Sequence, residues 1–577
     1  MASTEKLIAV ARGKEKGDIL LRGARIVNVF SGEIVDGDVL ICEDTIAAVV
    51  NKETERKELQ AAKIVDLDGA FLLPGLIDAH IHVESSMLTP AGFARAALSH
   101  GTTAVICDPH EIVNVAGLAG LDFMLRSSRS SPVDFFFMIP SCVPATKMET
   151  AGAELDMARI EKAFEMFPEA PGLAEMMNYP GLLEAEEEVL IKIAFARQRG
   201  YLVDGHAPFL SGRDLNAYIG AGISSDHECT SAQEALEKVR LGMKVIIREG
   251  SAAQDLRALL PAVNEKNFTE FMFGCDDRHP ADLLRFGEID DILRKAVRLG
   301  LDPVTAVRMA TINTARHYRL KDRGGIAPGL KADLVVVEDL QDFRVREVYK
   351  NGKAVFKGGK LRGEFTQHRD PRLEESVRLA DLKNKFTLKP PAPQAEANVI
   401  VVKGGQIITG WEKLPFSGIS VKDDILKVAV AERFNKEGRV AVGLVRGFGL
   451  KRGALASTVA HDSHNLIVVG TSDKDMEAAA RALSQAGGGL VAVDEGKVCA
   501  LLPLPVGGLM SYEDAFRVAE LHHEVEAAAY NLGCTLPSPF MALSFLALPV
   551  VPELKITDRG LVDVKNFKFA EIFSARK

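Results

Sequence analysis

The chain has 577 residues, of which 47% are hydrophobic and 26% charged, and its formal net charge is -9 with an isoelectric point near 5.9. This composition excludes a disordered or fibrous protein, and an acidic balance without a basic tract gives a nucleic-acid surface no electrostatic support. We therefore expect a small-molecule ligand and enough length for several structural units.

The first residues and the cysteines bear on the cellular location. The start of the chain carries scattered charges without a long apolar core, which argues against a signal peptide, and no apolar run of about 18 residues suggests a membrane span. The seven cysteines include no Cys-x-x-Cys pair, which is typical of free thiols in a reducing compartment. The sequence therefore predicts a cytoplasmic protein.

The chain begins with a β-rich segment. Residues 18–70 contain short apolar runs separated by Gly, Asn and Asp turn signals, which predict β-hairpins. Residues 326–384 return to the same character. We expect residues 1–74 and residues 326–384 to form one small β-module together.

Between these flanks, apolar runs alternate with helical segments. Two helices have local support: residues 184–200 are acidic at the start and basic near the end, and Ser231 and Glu234 are spaced as a capping box. Eight strand-like runs occur near 76–83, 103–108, 134–139, 172–177, 201–206, 222–227, 244–248 and 269–275. This alternation predicts a (β/α)8 TIM-like barrel over residues 75–325.

The last third of the chain is set apart by composition. Residues 385–397 are rich in Pro and Ala, as expected of a linker. Residues 398–577 are predicted to form an α+β domain. The predicted fold class is thus α/β, a (β/α)8 barrel with a β-module built from both of its flanks and a C-terminal α+β domain.

His80 and His82 stand at the end of the first predicted barrel strand. Side chains two apart on a strand point the same way, so both imidazoles can bind one metal ion. An isolated His-x-His pair is also compatible with an exposed polar face. However, Ile77 and Ala79 belong to a run with buried character, and burying two imidazoles without partners is costly. The setting therefore favours a metal site.

Ligand-type residues also follow other predicted strands, at the barrel end where function is found. They are Asp108, His110 and Glu111 after strand 2, Glu175 at strand 4, His206 after strand 5, His227 after strand 6 and Asp276 after strand 8. The six predicted metal ligands are His80, His82, Glu175, His206, His227 and Asp276. Four imidazoles and two carboxylates suit a pair of divalent ions such as Mn²⁺ or Fe²⁺, with Zn²⁺ as an alternative.

These motifs resemble a known family. The run PGLIDAHIHVE, the histidines of strands 5 and 6 and the aspartate of strand 8 are similar to the amidohydrolase superfamily, and DPHEIVNVAGLAG, EMMNYPG, DGHAP, SSDHE, GCDDRHP and HDSHNLIVVG resemble its bacterial adenine deaminases. The resemblance implies hydrolysis of adenine to hypoxanthine and ammonia, a step of purine salvage, by a hydroxide that bridges two metal ions. It assigns one ion to His80 and His82 and the other to His206 and His227. Glu175 would be the bridge, where many superfamily members use a carboxylated lysine.

The implied chemistry needs two proton-transfer groups. A metal lowers the pKa of bound water from about 15.7 to near 7, and Asp276 is expected to take the proton of the attacking hydroxide and deliver it to the leaving group. Attack at C6 also requires an acid for a ring nitrogen. We favour Glu111 over Asp277, with His110 as a further candidate, and Asp108 could orient either Glu111 or His110. The expected substrate contacts are Asp277, Arg278, His279, Glu84 and Ser85.

A second polar cluster, His461-Asp462-Ser463-His464, lies in the C-terminal segment. A metal site is the less favoured interpretation, because a His-x-x-His spacing at the end of a strand should not place both rings on one face. A polar loop over the barrel mouth is favoured. The pair His522-His523 is predicted to face different sides of a helix.

Two alternatives come from different functional classes. A cyclic-amide hydrolase of the dihydropyrimidinase or hydantoinase type predicts a lysine bridge, which the stretch around Glu175 lacks. A non-catalytic barrel scaffold would be expected to lose metal ligands, and all six candidates are present. We expect adenine as the partner, no nucleic acid, no membrane, and a homo-oligomer, specifically a dimer.

Overall fold

The computed structural model describes residues 2–56, 58–363, 365–389, 395–404 and 407–574. Strands and helices alternate through its middle part, which confirms the mixed α/β class. None of the described helices combines the length and the apolar character needed to cross a bilayer. All seven cysteines are free thiols, and Cys499 is the exposed one.

The N-terminal segment is built around one long central strand. Its elements are α1 (Thr4–Ala11), β1 (Gly17–Asn28), β2 (Glu33–Cys42), β3 (Thr45–Val50), α2 (Glu53–Arg56), β4 (Ala61–Asp66) and β5 (Phe71–Pro74). Strand β1 pairs antiparallel with β2 and parallel with both β4 and β5. Helix α1 is an element beyond those predicted from the sequence. It begins where the Ser3 side chain accepts the N–H of Lys6, and it buries Val10.

Eight short parallel strands follow. They are β6 (Leu76–Ile81), β7 (Thr102–Cys107), β8 (Asp134–Phe137), β9 (Gly172–Met176), β10 (Leu202–Gly205), β11 (Ser225–Asp226), β12 (Lys244–Arg248) and β13 (Phe271–Gly274). Neighbouring strands pair in parallel, a bridge between Ile139 and Leu173 links β8 to β9, and Ser224 N–H donates to Val203 O between β10 and β11. Strand β11 is shorter than the predicted run 222–227, whose first residue, Gly222, is instead the left-handed cap of the preceding helix.

The ring of strands closes between its first and last members. The Asp276 N–H donates to the His80 carbonyl at 2.9 Å, and the His82 N–H donates to the Asp276 carbonyl at 3.0 Å. The closing hydrogen bonds therefore involve the same residues that were predicted to bind metal. Closure of the ring and assembly of the site depend on one another.

Helices cover the outside of this ring. They are α3 (Pro90–Ser99), α4 (His110–Ala116), α5 (Leu118–Ser128), α6 (Met157–Met166), α7 (Tyr179–Leu183), α8 (Glu187–Gln198), α9 (Gly212–Ala221), α10 (Ala232–Arg240), α11 (Leu256–Leu259), α12 (Pro280–Arg285), α13 (Ile289–Arg298), α14 (Pro303–Met309) and α15 (Ile312–His317). At α10, Ser231 Oγ accepts the Glu234 N–H as predicted, but the Glu234 carboxylate accepts from Thr230 N–H rather than from Ser231.

The chain then returns to the first sheet. Strands β14 (Leu334–Val337), β15 (Val345–Lys350), β16 (Lys353–Lys357) and β17 (Lys360–Leu361) follow one another. Strand β14 pairs antiparallel with β5, with Leu334 opposite Pro74, and this completes a nine-stranded sheet. Segments from both sides of the barrel thus share one sheet.

The C-terminal part is a second nine-stranded sheet with helices and a small separate sheet. Its elements are α16 (Pro371–Glu374), β18 (Glu396–Val402), β19 (Thr409–Pro415), β20 (Leu426–Ala431), β21 (Val440–Arg446), β22 (Ala454–Ser457), β23 (Leu466–Gly470), α17 (Asp473–Ala486), β24 (Gly489–Asp494), β25 (Lys497–Pro503), α18 (Ala515–Asn531), α19 (Pro539–Ser544), β26 (Leu554–Thr557), β27 (Gly560–Asp563), β28 (Lys568–Ala570) and β29 (Phe573–Ser574). Strands β26 to β28 form the small sheet.

The predicted linker differs from what is observed. Phe386, inside the predicted linker, is completely buried among residues of the C-terminal sheet. Burial of a large aromatic ring is strongly favourable, and the Pro and Ala content of the segment does not reveal it. Strand β18 already begins at Glu396. Residues 390–394 of the predicted linker lie outside the described residues.

Candidate active site

The six predicted metal ligands meet at the carboxyl ends of the barrel strands. Five of them are buried and His206 is half-buried. Ala79 and Ile81, both buried in the core, alternate with the first two histidines along the chain. Two of the ligands lie within strands, His80 in β6 and Glu175 in β9. The other four lie one or two residues after β6, β10, β11 and β13, namely His82, His206, His227 and Asp276.

Glu175 lies between the histidines of the early and the late strands. Its Oε1 is 3.3 Å from His82 Nε2, and its Oε2 is 2.6 Å from His206 Nδ1 and 3.2 Å from His227 Nε2. Burial alone would raise the pKa of Glu175, but the imidazoles of His206 and His227 outweigh it and hold that pKa well below its usual range. An ionised carboxylate that turns one oxygen to each side can bridge two cations.

Asp276 completes the ring of ligands. Its Oδ1 is 3.1 Å from His82 Nε2 and 3.6 Å from His80 Nε2, and its Oδ2 accepts a hydrogen bond from Arg248 Nη1 at 3.0 Å. Burial alone would raise the pKa of Asp276, but the neighbouring imidazoles of His80 and His82 and the charge of Arg248 lower it well below its usual range. The carboxylate is therefore ionised at neutral pH and able to accept a proton.

The donor atoms fit divalent ions. His80 Nε2 is buried and has no hydrogen-bond partner within the described part of the chain. His82 Nδ1 lies 3.0 Å from the Asp108 carbonyl, so this nitrogen carries the proton. The Nε2 atom, which lies near Glu175 and Asp276, can then offer its lone pair to a metal ion. That is the usual arrangement of a metal-binding histidine. Mixed imidazole and carboxylate donors suit Mn²⁺, Fe²⁺ or Zn²⁺.

A second group adjoins the ligands. His110 opens helix α4, and its Nδ1 lies 3.1 Å from Asp108 Oδ2 while its Nε2 lies 3.6 Å from Glu111 Oε1. Burial alone would lower the pKa of His110, but the two carboxylates raise it well above its usual range. Asp108 also accepts the His110 backbone N–H at 3.0 Å, so it contacts both the backbone and the ring of this residue.

Glu111 contacts two histidines of the C-terminal domain. His461 Nδ1 lies 2.7 Å from its Oε1, and His464 Nε2 contacts its Oε2. The expectation that these two rings face different directions is wrong. It assumed an extended chain, whereas His464 has a left-handed backbone with φ of 54°, and the resulting turn brings both rings to the same carboxylate.

The proton position on His464 follows from a backbone contact. The Ala460 N–H donates to His464 Nδ1 at 3.1 Å, so the ring proton lies on Nε2 and points at Glu111. A metal ion would need the lone pair of that Nε2. The group Glu111, His461 and His464 has metal-like spacing, but this tautomer favours hydrogen bonds to the carboxylate instead.

A small cavity of about 50 Å³ lies against these residues. The C-terminal domain forms one wall of it. The Phe545 ring is stacked on His461, with ring centroids 4.7 Å apart. The loop that carries His461 therefore lies over the barrel mouth, as the sequence predicts. The apolar part of this wall consists of Ile407, Phe545, Leu548, Val550 and Val551.

Three predicted substrate contacts lie near the cavity. Asp277 lines it, and its carboxylate accepts a hydrogen bond from Ser85 Oγ. Burial and the neighbouring Asp276 raise the pKa of Asp277. Glu84 instead accepts the Ile112 N–H at 3.2 Å, and burial raises its pKa to about 7. Only Asp277 of these three is among the described residues that line the cavity.

The other two predicted contacts turn away from the cavity. The Arg278 guanidinium is 2% exposed and donates to the Gly287 carbonyl and to Asp291. The His279 ring packs against His522 of α18, with centroids 5.4 Å apart. Because both side chains are engaged in these contacts, the geometry does not support direct contact with a substrate.

The buried ammonium group of Lys238, near His206 and His227, was not predicted from the sequence. Lys238 Nζ is completely buried and donates to the Ala207 carbonyl, Asp226 and Glu234, each at 2.9 Å. Asp226 also accepts the N–H groups of Ala207 and Glu228 at 2.8 and 3.0 Å. Lys238 thus joins the loops that carry His206 and His227.

Arg248 and Glu228 were also missed. Arg248 ends strand β12 and donates to Glu228, Asp255 and Asp276. Glu228 lies 3.4 Å from His227 Nε2, and both residues line the cavity. The available signal was position alone, because each is a charged residue at the carboxyl end of a predicted barrel strand.

Comparisons with known protein families agree with this arrangement. Residues 71–355 match the amidohydrolase family, and residues 406–568 match the family described as the adenine deaminase C-terminal domain. The first match includes all six candidate metal ligands. The second includes His461 and His464.

Similar proteins extend over the whole chain. An adenine deaminase of Desulfatibacillum aliphaticivorans is 49% identical over 99% of both chains, and one of Kosmotoga olearia is 44% identical over 99% of both. An adenine deaminase 2 of Carboxydothermus hydrogenoformans is 46% identical over 99% of this chain and 100% of its own. Among solved structures, the β-aspartyl dipeptidase of Fervidobacterium islandicum is similar with a TM-score of 0.47 and 18% identity over 61% of this chain and 99% of its own.

Proposed function

The chain belongs to the adenine deaminase family of the amidohydrolases, and we propose that it hydrolyses adenine to hypoxanthine and ammonia in a site that holds two divalent metal ions. The observation that carries this proposal is the position of Glu175, which turns one oxygen to His82 and the other to His206 and His227. Such a carboxylate is suited to hold two ions side by side.

The ligand assignment follows the same geometry. We assign His80 and His82 to one ion, His206 and His227 to the other, Glu175 to both, and Asp276 beside them. Mn²⁺ or Fe²⁺ is proposed, with Zn²⁺ as the alternative. When bound, two such ions supply a hydroxide nucleophile at neutral pH, because they lower the pKa of water from about 15.7 to near 7.

Asp276 is proposed as the group that moves the proton of the nucleophile. Its Oδ2 is fixed by Arg248, so its Oδ1 is held toward His80 and His82, where the attack would take place. The carboxylate accepts the proton as the C6–O bond forms. It then delivers that proton to the departing amino group, which leaves as ammonia.

Glu111 is proposed to pass a second proton to the purine ring. Attack at C6 places negative charge on the ring nitrogens, and Glu111 lines the cavity beside the ligands. Asp277 lines the same cavity and is the alternative for this role. Glu111 is ionised, however, because the histidines around it outweigh burial and hold its pKa well below its usual range. The proton must therefore come to Glu111 from another group.

Further parts of the proposal have indirect support. The division into residues 1–74 with 326–384, 75–325 and 398–577 is supported by the sheet that joins β5 to β14. A cytoplasmic location is supported by the free cysteines. The homodimer stays a prediction. The cyclic-amide hydrolase alternative lacks its lysine, because no lysine occurs among the described residues that line the cavity.

The test is ammonia release by the Mn²⁺-loaded enzyme from adenine, adenosine, guanine, cytosine and a dihydropyrimidine. We expect release from adenine and no opening of the dihydropyrimidine ring. Absence of release from adenine would overturn the proposal. Ring opening of the dihydropyrimidine alone would favour the cyclic-amide hydrolase.

A further inference from the structure

His461 brings the C-terminal domain into direct contact with the barrel site. It is buried, its Nδ1 lies 2.7 Å from Glu111 Oε1, and it lines the cavity. Stacking on Phe545 fixes the plane of its ring. The imidazole thus has one side on the cavity and one nitrogen on the carboxylate.

The charge state of the pair follows from its surroundings. Burial alone would lower the pKa of His461, but Glu111 and the nearby Asp277 and Asp462 raise it to about 9. Glu111 is ionised, as described above. At neutral pH the shared proton therefore lies on the imidazole of His461 and not on the carboxylate.

The other histidine on Glu111 cannot fill the same role. His464 Nδ1 accepts the Ala460 N–H, so the ring is neutral with its one proton on Nε2. Burial, the largest effect on His464, lowers its pKa, in agreement with a neutral ring. Giving up that proton would create an imidazolate, which is far too basic to form here. His464 can hold Glu111 in place but has no proton to spare.

We propose that His461, supplied by the C-terminal domain, provides the proton that Glu111 passes to a ring nitrogen of the substrate. This inference rests on the proposed deamination. As hydroxide adds to C6, the N–H bond of His461 breaks, Glu111 relays the proton, and a new N–H bond forms on the ring and remains in hypoxanthine. The next water that supplies hydroxide releases one proton, which restores the His461 imidazolium. The balance is adenine and water to hypoxanthine and ammonia.

Two substitutions separate proton supply from positioning. In His461→Asn, the side-chain amide can donate a hydrogen bond to Glu111 from near the position of Nδ1 but cannot transfer a proton. In His461→Ala, both functions are lost, and added imidazole can enter the space. His523→Ala is the control, because His523 is an exposed histidine of the same domain.

We expect kcat to fall by about 100-fold or more in both His461 variants, as is typical when a general acid is removed. KM and metal content should stay close to wild type, and imidazole should restore part of the kcat of His461→Ala. His523→Ala should be unchanged. If His461→Ala does not fold, His461→Asn decides the matter alone.

Near-normal kcat in His461→Asn, together with a large loss in Glu111→Gln, would overturn the role of His461 and leave the deamination intact. A wild-type enzyme that releases no ammonia from adenine would instead overturn the proposed function. The two failures are therefore distinguishable.

Discussion

Arg248 donates a hydrogen bond to Asp276 at 3.0 Å, and this contact fixes which carboxylate oxygen faces the histidines. The same guanidinium donates to Glu228, so one buried cation serves two buried carboxylates. Arginine is suited to this task because its planar group presents several donors in fixed directions.

Replacement of Arg248 by Met should therefore affect both activity and stability. The variant leaves two buried carboxylates without their cation, and we expect a loss of about 3–5 kcal/mol in unfolding free energy. We also expect kcat to fall by at least about tenfold, because Asp276 is free to rotate. Urea denaturation and steady-state kinetics measure the two effects. A variant with normal kcat would show that Asp276 needs no such partner.

Lys238→Met tests the buried ammonium behind His206 and His227. Removal of one partner of a buried ion pair costs about 3–5 kcal/mol, and the loops of β10 and β11 lose their common link. We expect lower stability and a lower metal content by elemental analysis. Lys162→Met is the matched control, since Lys162 and Glu165 form an exposed pair worth about 1 kcal/mol or less. Equal effects of the two substitutions would contradict the assigned role.

Metal removal should abolish activity reversibly. We expect wild-type protein to bind two equivalents of metal, to lose ammonia release on chelation and to recover it with Mn²⁺. Glu175→Ala should retain fewer than two equivalents, because both proposed ions lose the carboxylate between them. His523→Ala should retain both. Two equivalents in Glu175→Ala would rule out Glu175 as the bridge.

Glu111→Gln should separate proton transfer from metal binding. Glutamine keeps the size of the side chain but cannot relay a proton, so we expect kcat to fall by about 100-fold or more with unchanged metal content. Glu169→Gln, at an exposed position, is the control. Turnover close to wild type in Glu111→Gln would transfer the role to Asp277, which Asp277→Asn then tests.

The Glu111–His461 contact also predicts a pH dependence of stability. Burial alone would lower the pKa of His461 in the folded protein, but the Glu111 carboxylate outweighs burial and raises this pKa to about 9. In the unfolded chain it is about 6.5. A group with a raised pKa stabilises fully below about pH 6.5, and this contribution is lost as the pH rises through about 9.

We therefore compare the unfolding free energies of wild type and His461→Asn. The advantage of wild type should be larger at pH 6 than at pH 9.5, by up to about 3 kcal/mol. Urea denaturation of both proteins across this range measures the difference. A constant difference at all pH values would contradict an ionic contact.

The sequence predicted the barrel strands well because each is a short apolar run between turn signals. Position at a strand end was then sufficient to collect His80, Glu175, His227 and Asp276. It was not sufficient for Arg278, whose partner Asp291 lies on another element and draws it away from the cavity. The periodicity of a strand predicts which face of that strand a side chain lies on. The ion pair of Arg278 with Asp291 depends instead on how separate elements pack together.

The contact of His461 with Glu111 could not be predicted for a related reason. The period of a strand says nothing about a left-handed residue such as His464, and non-glycine residues rarely adopt this conformation. Phe386 shows the same limit. The Pro and Ala content around it predicts a linker, but composition averaged over a segment does not reveal that one aromatic side chain is buried in a core.

The closing hydrogen bonds between His80 and Asp276 have a consequence for synthesis on the ribosome. The first ligands emerge early, but their partner on the last barrel strand and the C-terminal His461 emerge much later. A nascent chain therefore holds isolated imidazoles and no site capable of turnover. Ammonia release from newly made protein would report that both the ring and the C-terminal domain have reached their final positions.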